Sequence, residues 1–497
     1  MRIQRLALLT IALGLLIGCA PTEQTSSSSS EPQSSQPQNS SSQLQSSSSH
    51  KDVDSITVFS INDLHGKIGG DDGNHSLTDL AGTIESNPYY DADTSIIVSA
   101  GDLWQGSYAS GYDKGFTTTE LMGTLGLKVM ALGNHEFDWG IETIEKNMAA
   151  ASFTFLCANL VDATTKKEAD WIDGATTVTV GDRTIGFVGV MGPDLESSIK
   201  SGMLENYEFT DDTSVVDAAY DAIDADVTFL IAHESADSDY LRTLVAERDY
   251  AGVFCGHSHQ FQDEVIDGIP ALQGGSDNRG YSYMVLDTSD GIVTKADTAY
   301  TETKPTSNQA LIKQLEDYLK SLPQESFGKL EGYWNKEKTA NFVLTAMIYT
   351  VKVIYPDMDT SKLVAVHNKG GIRSSYPSSS TPTDFTMEVI QKVSPFDNKL
   401  MLLKDRTPDS SLNSHYYSDH SALNRSSIDI VTIDYLVNDD YSPMFTPTGA
   451  ITIKNPKTGD DYILYDAIAT YVEHLDQQGI TVRADDYSSV PSVDKII

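Results

Sequence analysis

Five short apolar runs in this chain end in the same punctuation, an Asp, Asn or His, with a glycine beside it in four of them. Ser55-Ile56-Thr57-Val58-Phe59-Ser60-Ile61 leads into Asn62-Asp63-Leu64-His65-Gly66, and Thr94 to Ser99 leads into Gly101-Asp102. Leu127 to Leu132 leads into Gly133-Asn134-His135-Glu136-Phe137-Asp138, Val227 to Ala232 into His233, and Gly252 to Cys255 into Gly256-His257-Ser258-His259. Such β-branched runs read as buried strands. Further strands are expected at Phe153 to Ala158 and Arg183 to Val190, and helical spacing appears at Leu77 to Glu85, Phe116 to Leu125, Ile141 to Ala150 and Ser214 to Ile223. Alternating strand and helix predicts an α/β sheet with helices on its faces, and ligands in loops at the strand ends.

The loop residues are a donor set. Successive side chains of a strand alternate, so extended backbone would aim Asp63 with His65, and His257 with His259, each pair at one point. With Asp102, Asn134 and His233 they offer oxygen and nitrogen donors for two divalent cations with open positions. The absence of thiolate favours Mn, Zn, Co, Fe or Mg over a structural zinc. His135 adjoins a donor while its own ring stays free to face a substrate. Asp138, three residues on, either orients that ring or caps the helix starting at Ile141.

Charge narrows the partners. The 34 Lys and Arg against 71 Asp and Glu give a net charge of −37. Polymeric nucleic acid is bound by basic residues that neutralise phosphates, so no DNA or RNA partner is expected. A small anion is held when metal or Arg acts locally. Three cysteines exclude a disulfide scaffold, and Cys157 and Cys255 sit in apolar runs as small core residues.

The N-terminus has Arg2 and Arg5, an apolar stretch from Leu6 to Ile17, then Gly18-Cys19. That is the pattern of a secretory signal, too short for a stable span. Leu16-Ile17-Gly18-Cys19 resembles a bacterial lipobox, which implies cleavage before Cys19 and acylation of its thiol; ordinary signal cleavage is the competing reading. The Ser- and Gln-rich stretch that follows lacks the apolar residues to repay ordering and reads as a tether. The expected organisation is a signal peptide at 1–18, a tether at 19–53, a metal domain at 54–303, a linker helix at 304–326 and a substrate-binding domain at 327–497. The linker is expected to be helical from Gln309 to Leu319, stopping near Pro323. The last domain should hold helices at Ala340 to Ile354, from near Asp384 and at Leu464 to Leu475, with a strand at Lys362 to His367.

With Gly133-Asn134-His135-Glu136-Phe137-Asp138-Trp139-Gly140 as its most specific piece, the chain resembles the 5′-nucleotidase family of calcineurin-like metallophosphoesterases from about Ile56 to Tyr487. The resemblance implies a four-layered α/β/β/α metal domain followed by an α+β C-terminal domain. It implies that Asp102 bridges two metals, one also held by Asp63, His65 and His259, the other by Asn134, His233 and His257. His135 and Asp138 would be a catalytic dyad. Asn368-Lys369-Gly370-Gly371-Ile372-Arg373 looks like the family's substrate motif, and Pro395-Phe396-Asp397-Asn398 like its base-stacking segment. Asn368, Gly371, Arg373, Phe396 and Asn398 are therefore substrate candidates. A Gly turn with a surface Arg, and a core Phe, are the plainer readings. Tyr435 and Asp440 are candidates for a second stacking ring and a ribose contact, although the family's paired glycines are missing from Asp434 to Pro443. Glu234-Ser235 after His233, and His259 itself, also depart from the family pattern.

The expected activity is that of a lipid-anchored hydrolase on the outer face of the membrane, with a Gram-positive cell surface as the expected setting, releasing phosphate from nucleoside monophosphates. The alternatives are a phosphodiesterase or pyrophosphatase acting on cyclic nucleotides or nucleotide sugars, and a non-catalytic surface-binding lipoprotein.

Overall fold

A computed structural model describes residues 54–70, 75–200, 202–438, 442–492 and 495–496. Cys19, the signal and tether segments, and Asp440 lie outside the described residues.

Two six-stranded sheets dominate the first half. One runs in the order Val293–Tyr300, Gly280–Asp287, Ser55–Ile61, Ser95–Ser99, Leu127–Ala131, Thr154–Leu156. The other runs Phe261–Ile266, Ile269–Gly274, Tyr250–Cys255, Val227–His233, Arg183–Met191, Ala175–Val180. Alternation along each strand sends one set of side chains between the sheets and the other outward. Ile56, Val58 and Val98 thus share a core with Phe187, Phe229 and Phe254 of the facing sheet. On the outer face of the first sheet, Phe59 and Ile97 pack with helices Leu77–Glu85, Phe116–Leu125 and Ile141–Ala150. Val188 and Leu230 pack outward on helices Thr213–Asp221 and Asp239–Glu247. The result is the four-layered α/β/β/α arrangement. Cys157 and Cys255 are buried free thiols, and burial pushes the Cys157 thiol up to about 12.

Helix Gln309–Ser321 belongs to the outer helical layer. Leu311 and Leu315 are buried in its core, the Asn308 side chain donates to the Thr124 carbonyl at 2.8 Å, and the Tyr318 hydroxyl donates to the Ala109 carbonyl at 2.5 Å.

The second half has its own core around helix Lys336–Ile354, whose residues from Phe342 to Val351 are all buried, and helix Leu464–Gln477. A five-stranded sheet in the order His415–Tyr417, Leu363–Asn368, Ile428–Ile433, Leu400–Arg406, Ile451–Thr452 carries the residues that face the first half. The helix expected from near Asp384 begins at Met387, capped by the Thr386 side chain. Asp384 instead lies in strand Ser379–Thr386, paired opposite Lys329. That strand is on a sheet edge and its pairing is irregular beside Pro382, where a residue without an N–H is tolerated.

Candidate active site

All seven donors converge. Asp63, His65 and His259 offer ligand atoms within 4.8 Å of one another, and so do Asp102, His233 and His257. Asn134 Oδ1 lies 3.1 Å from His233 Nε2 and 3.2 Å from His257 Nδ1, which places it with the second group. Asp102 stands between the groups: it also clusters with His65 and His135, and its Oδ2 lies 3.2 Å from His233 Nε2.

The route to this convergence differs from a strand pleat. Asp63 (φ 49°), His65 (φ 50°), Asp102 (φ 54°), His257 (φ 72°) and His259 (φ 61°) are all left-handed, not extended. Each such residue costs roughly 1–2 kcal/mol, and strain of this kind concentrates where surrounding structure enforces it. The corrected geometry also separates one expected pair, since His257 joins the Asn134 group while His259 joins the Asp63 group. Close approach is made possible by Gly133, where a Cβ would fall 2.3 Å from Asp102 Oδ1 and 2.8 Å from the His233 ring.

Hydrogen bonds fix the donors' orientation. His65 Nδ1 lies 2.8 Å from the Gln105 carbonyl and His233 Nδ1 2.7 Å from the Ala100 carbonyl. A carbonyl only accepts, so both Nδ1 atoms carry a proton and both Nε2 atoms point into the site. Burial alone would lower His233, but Asp102 outweighs it and holds the ring up to about 10, so a cation would displace the Nε2 proton. Burial drives His257 and His259 down to about 4, leaving neutral imidazoles that suit metal ligation. Burial also pushes the Asp63 carboxyl up to about 7, with His233 opposing and Asp102 adding to the rise. Two buried carboxylates, the Asn134 amide oxygen and four converging imidazoles form a donor set that fits two divalent cations.

Glu136 was not among the expected site residues, although it lies within the most specific motif. Fully buried, its carboxylate accepts from the backbone N–H of Asp102 at 2.8 Å, of Leu103 at 2.8 Å and of Gly133 at 2.9 Å. It thereby ties the Asp102 loop to the Asn134 loop. An acid consumed by backbone donors has the same sequence signature as a free ligand, so only its position beside Asn134 and His135 pointed to it.

A cavity of ≈ 300 Å³ opens over the donors. His135 and Asp138 line it, with His135 Nδ1 2.7 Å from Asp138 Oδ2. Gly140, not Asp138, is the cap of helix Ile141–Ala150, so Asp138 pairs with the imidazole. Burial alone would lower His135, but Asp138 and Asp102 outweigh it and its pKa rises. Asn368, Gly371, Arg373, Phe396, Asn398 and Tyr435 line the same cavity from the second half. Gly371 is required there because a Cβ would lie 2.4 Å from His367 Cε1 and 2.5 Å from Asn368 Oδ1. The half-buried Phe396 ring stacks at 25° and 5.8 Å on His135, and Arg373 Cζ sits 5.7 Å from the same ring. Phe396 is therefore a wall of the dyad as well as a candidate surface for a base. Two more lining residues escaped the sequence: Lys200 pairs with Asp434 at 2.7 Å, and the Gln105 amide donates to the Pro395 carbonyl at 3.1 Å. Both join loops far apart in the chain, with no local signature.

Residues 56–261 match the family model for the calcineurin-like phosphoesterase, and this part of the chain is a calcineurin-like phosphoesterase domain. Endonuclease YhcR of Bacillus subtilis is 23% identical over 404 residues, covering 71% of this chain and 32% of that protein. Cell wall protein Lmo0130 of Listeria monocytogenes is 23% identical over 452 residues, covering 74% of this chain and 57% of that one. The chain thus spans between a third and somewhat over half the length of these curated relatives. The 5′-nucleotidase precursor of Thermus thermophilus has the same fold, with a TM-score of 0.67 at 15% identity, over 85% of this chain and 96% of that one.

Proposed function

We propose that this protein is a metal-dependent phosphohydrolase that releases phosphate from nucleoside monophosphates, a 5′-nucleotidase. The observation that carries the reading is the shared carboxylate: two donor groups meet at Asp102 on the floor of a cavity whose other walls hold the His135–Asp138 pair and Arg373. Asp63, His65 and His259 would hold one cation, Asn134, His233 and His257 the other, with Asp102 between them. Bound there, two divalent cations would neutralise phosphoryl oxygens and lower the pKa of water.

The chain's own groups supply the rest. Asp138 fixes the His135 ring through Nδ1, so Nε2 faces the cavity and holds a proton for the departing ester oxygen. The raised pKa keeps that proton available near neutrality. The guanidinium of Arg373 offers a planar fork to the phosphoryl group. Phe396 and Tyr435 offer rings to a nucleobase, and Asn368 and Asn398 polar edges to a sugar or base, with Gly371 keeping that turn narrow. Domain boundaries near 303 and 327 fit this division of labour between metal chemistry and recognition.

The site is proposed to work outside the cytoplasmic membrane, anchored through an acylated Cys19. The N-terminal sequence pattern supports this, as does a relative named as a cell wall protein. No helix among the described residues is long and apolar enough to cross a membrane. Labelling with an alkyne fatty acid should mark the wild type and spare Cys19→Ala; equal labelling would refute the anchor.

Phosphate release from AMP, UMP, ADP, cyclic nucleotides, UDP-glucose and a non-nucleotide monoester, after loading with Mn, Co or Zn, tests the activity. Nucleoside monophosphates are expected to lead. Inertness of the metal-loaded protein toward every ester would instead favour a binding protein built on a hydrolase fold.

A further inference from the structure

Two of the three donors in the Asp63 group lean on a strand that contributes no donor itself. Strand Ile269–Gly274 carries Gln273 near its end, fully buried. With its amide oriented to suit its neighbours, the Gln273 oxygen accepts from the His259 N–H at 2.9 Å and the Gln260 N–H at 3.2 Å. Its nitrogen donates to the Gly256 carbonyl at 2.8 Å and to Gln262 Oε1 at 3.0 Å. One side chain thus spans the turn from Gly256 to Gln260, in which His257 and His259 are left-handed. Such backbone persists only where its surroundings enforce it. The next two residues of the strand end hold Asp63. The Gly274 N–H donates to Asn62 Oδ1 at 3.1 Å, and Asn62 Nδ2 donates to the Gly275 carbonyl and to Asp63 Oδ2, each at 2.6 Å. That occupies Oδ2 and leaves Asp63 Oδ1 facing His259 Nε2 at 3.6 Å. The other group is held elsewhere: Glu136 takes the Gly133 N–H beside Asn134, and the Ala100 carbonyl takes the His233 ring.

We propose that Gln273 is a positioning residue for one cation of the pair, acting through the backbone of His259, and that Asn62 does the same through the carboxylate of Asp63. The two halves of the metal centre are therefore supported separately. Removing Gln273's polar atoms frees the His259 turn and weakens the cation held by Asp63, His65 and His259. The cation held by Asn134, His233 and His257 keeps its supports. The inference rests on the reading of these residues as metal donors and not on the identity of the substrate.

Manganese is the probe, added to chelator-treated protein. The wild type should take up two ions and show the spin-coupled paramagnetic resonance of a neighbouring pair. Gln273→Met keeps the length of the side chain and removes its hydrogen-bonding atoms. By calorimetric titration it should weaken one ion about 10–100-fold and leave the other within about threefold. At manganese concentrations that saturate the wild type, the coupled signal should give way to that of an isolated ion. Anomalous diffraction should then place that ion on Asn134, His233 and His257. Gln273→Glu retains an acceptor for the His259 N–H and should recover most of the lost affinity. Asn62→Ala should give the same one-ion signature. Should Gln273→Met not fold, Gln273→Asn, which keeps the amide but withdraws it from His259, carries the same expectation. Equal weakening of both ions, weakening of neither, or a remaining ion on Asp63 and His65 overturns the proposal. A wild type that takes up no pair of ions overturns it together with the metal reading beneath it, whereas absence of phosphate release strikes the proposed function alone.

Discussion

The two walls of the main cavity are built on opposite plans. The metal wall is mostly buried and tightly constrained: five of its seven donors sit in left-handed backbone, the His65 and His233 rings are pinned by carbonyls, and Glu136 staples two of the loops from behind. The recognition wall is looser. Arg373 is exposed, Phe396 and Tyr435 are half-buried, and the buried Asn368 Oδ1 has no hydrogen-bond partner. Reaction chemistry needs donors held to a fraction of an ångström, whereas recognition tolerates side chains that settle on the ligand. The contrast predicts that damage to the metal wall abolishes catalysis, and damage to the other wall changes which substrate is preferred.

Asp102→Ala is the strongest way to break the metal wall. It should remove cation binding at both groups and lower kcat/KM by at least about 10³-fold, read by metal analysis alongside phosphate release. His135→Gln separates binding from chemistry: bound metal should stay at the wild-type level while kcat falls about 10²–10⁴-fold. Loss of metal in that variant would show that His135 is a ligand and that the roles are divided wrongly. Glu136→Gln removes one acceptor charge behind the loops and should weaken cation affinity about 10–100-fold, recoverable at high metal concentration. On the recognition wall, Arg373→Ala should raise KM about 10-fold with a smaller effect on kcat, and Arg373→Lys should rescue only part of it. An Arg373→Ala effect confined to kcat would move that residue to the reacting centre.

The smallest effect concerns stability. His367, buried beneath the Asn368 turn, is held down to about 4 by burial, against 6.5 for a free imidazole. The unfolded chain therefore takes up the proton first, so this residue's contribution is intact above pH 6.5 and is lost as pH falls toward 4. The slope is at most about 1.4 kcal/mol per pH unit. Urea unfolding across that range should show a shallower pH dependence in His367→Gln; an unchanged slope would assign the acid sensitivity elsewhere.

The sequence was most legible where one physical signal dominates. Strand Ser55–Ile61 and helices Leu77–Glu85, Phe116–Leu125 and Ile141–Ala150 have the bounds that apolar spacing predicts. Strands from Phe261 to Tyr300 give no such signal: Phe261–Ile266 and Val293–Tyr300 are sheet edges whose side chains are largely half-buried or exposed. Ser379–Thr386, polar and containing Pro382, was hidden for the same reason. At the site, residue types and strand-end positions revealed the donors, because Asp, Asn and His rarely gather there by chance. The left-handed backbone that aims them was not visible, since Asp and His tolerate that conformation without announcing it. Nor was the Lys200–Asp434 pair, which depends on two loops meeting only after both halves fold.

Metal stoichiometry with anomalous diffraction is the most direct trial. Wild-type protein stripped by chelator, reloaded with manganese and crystallised should carry two ions per chain, one on each side of the Asp102 carboxylate. A single ion, or ions bound away from that carboxylate, would contradict the dinuclear centre.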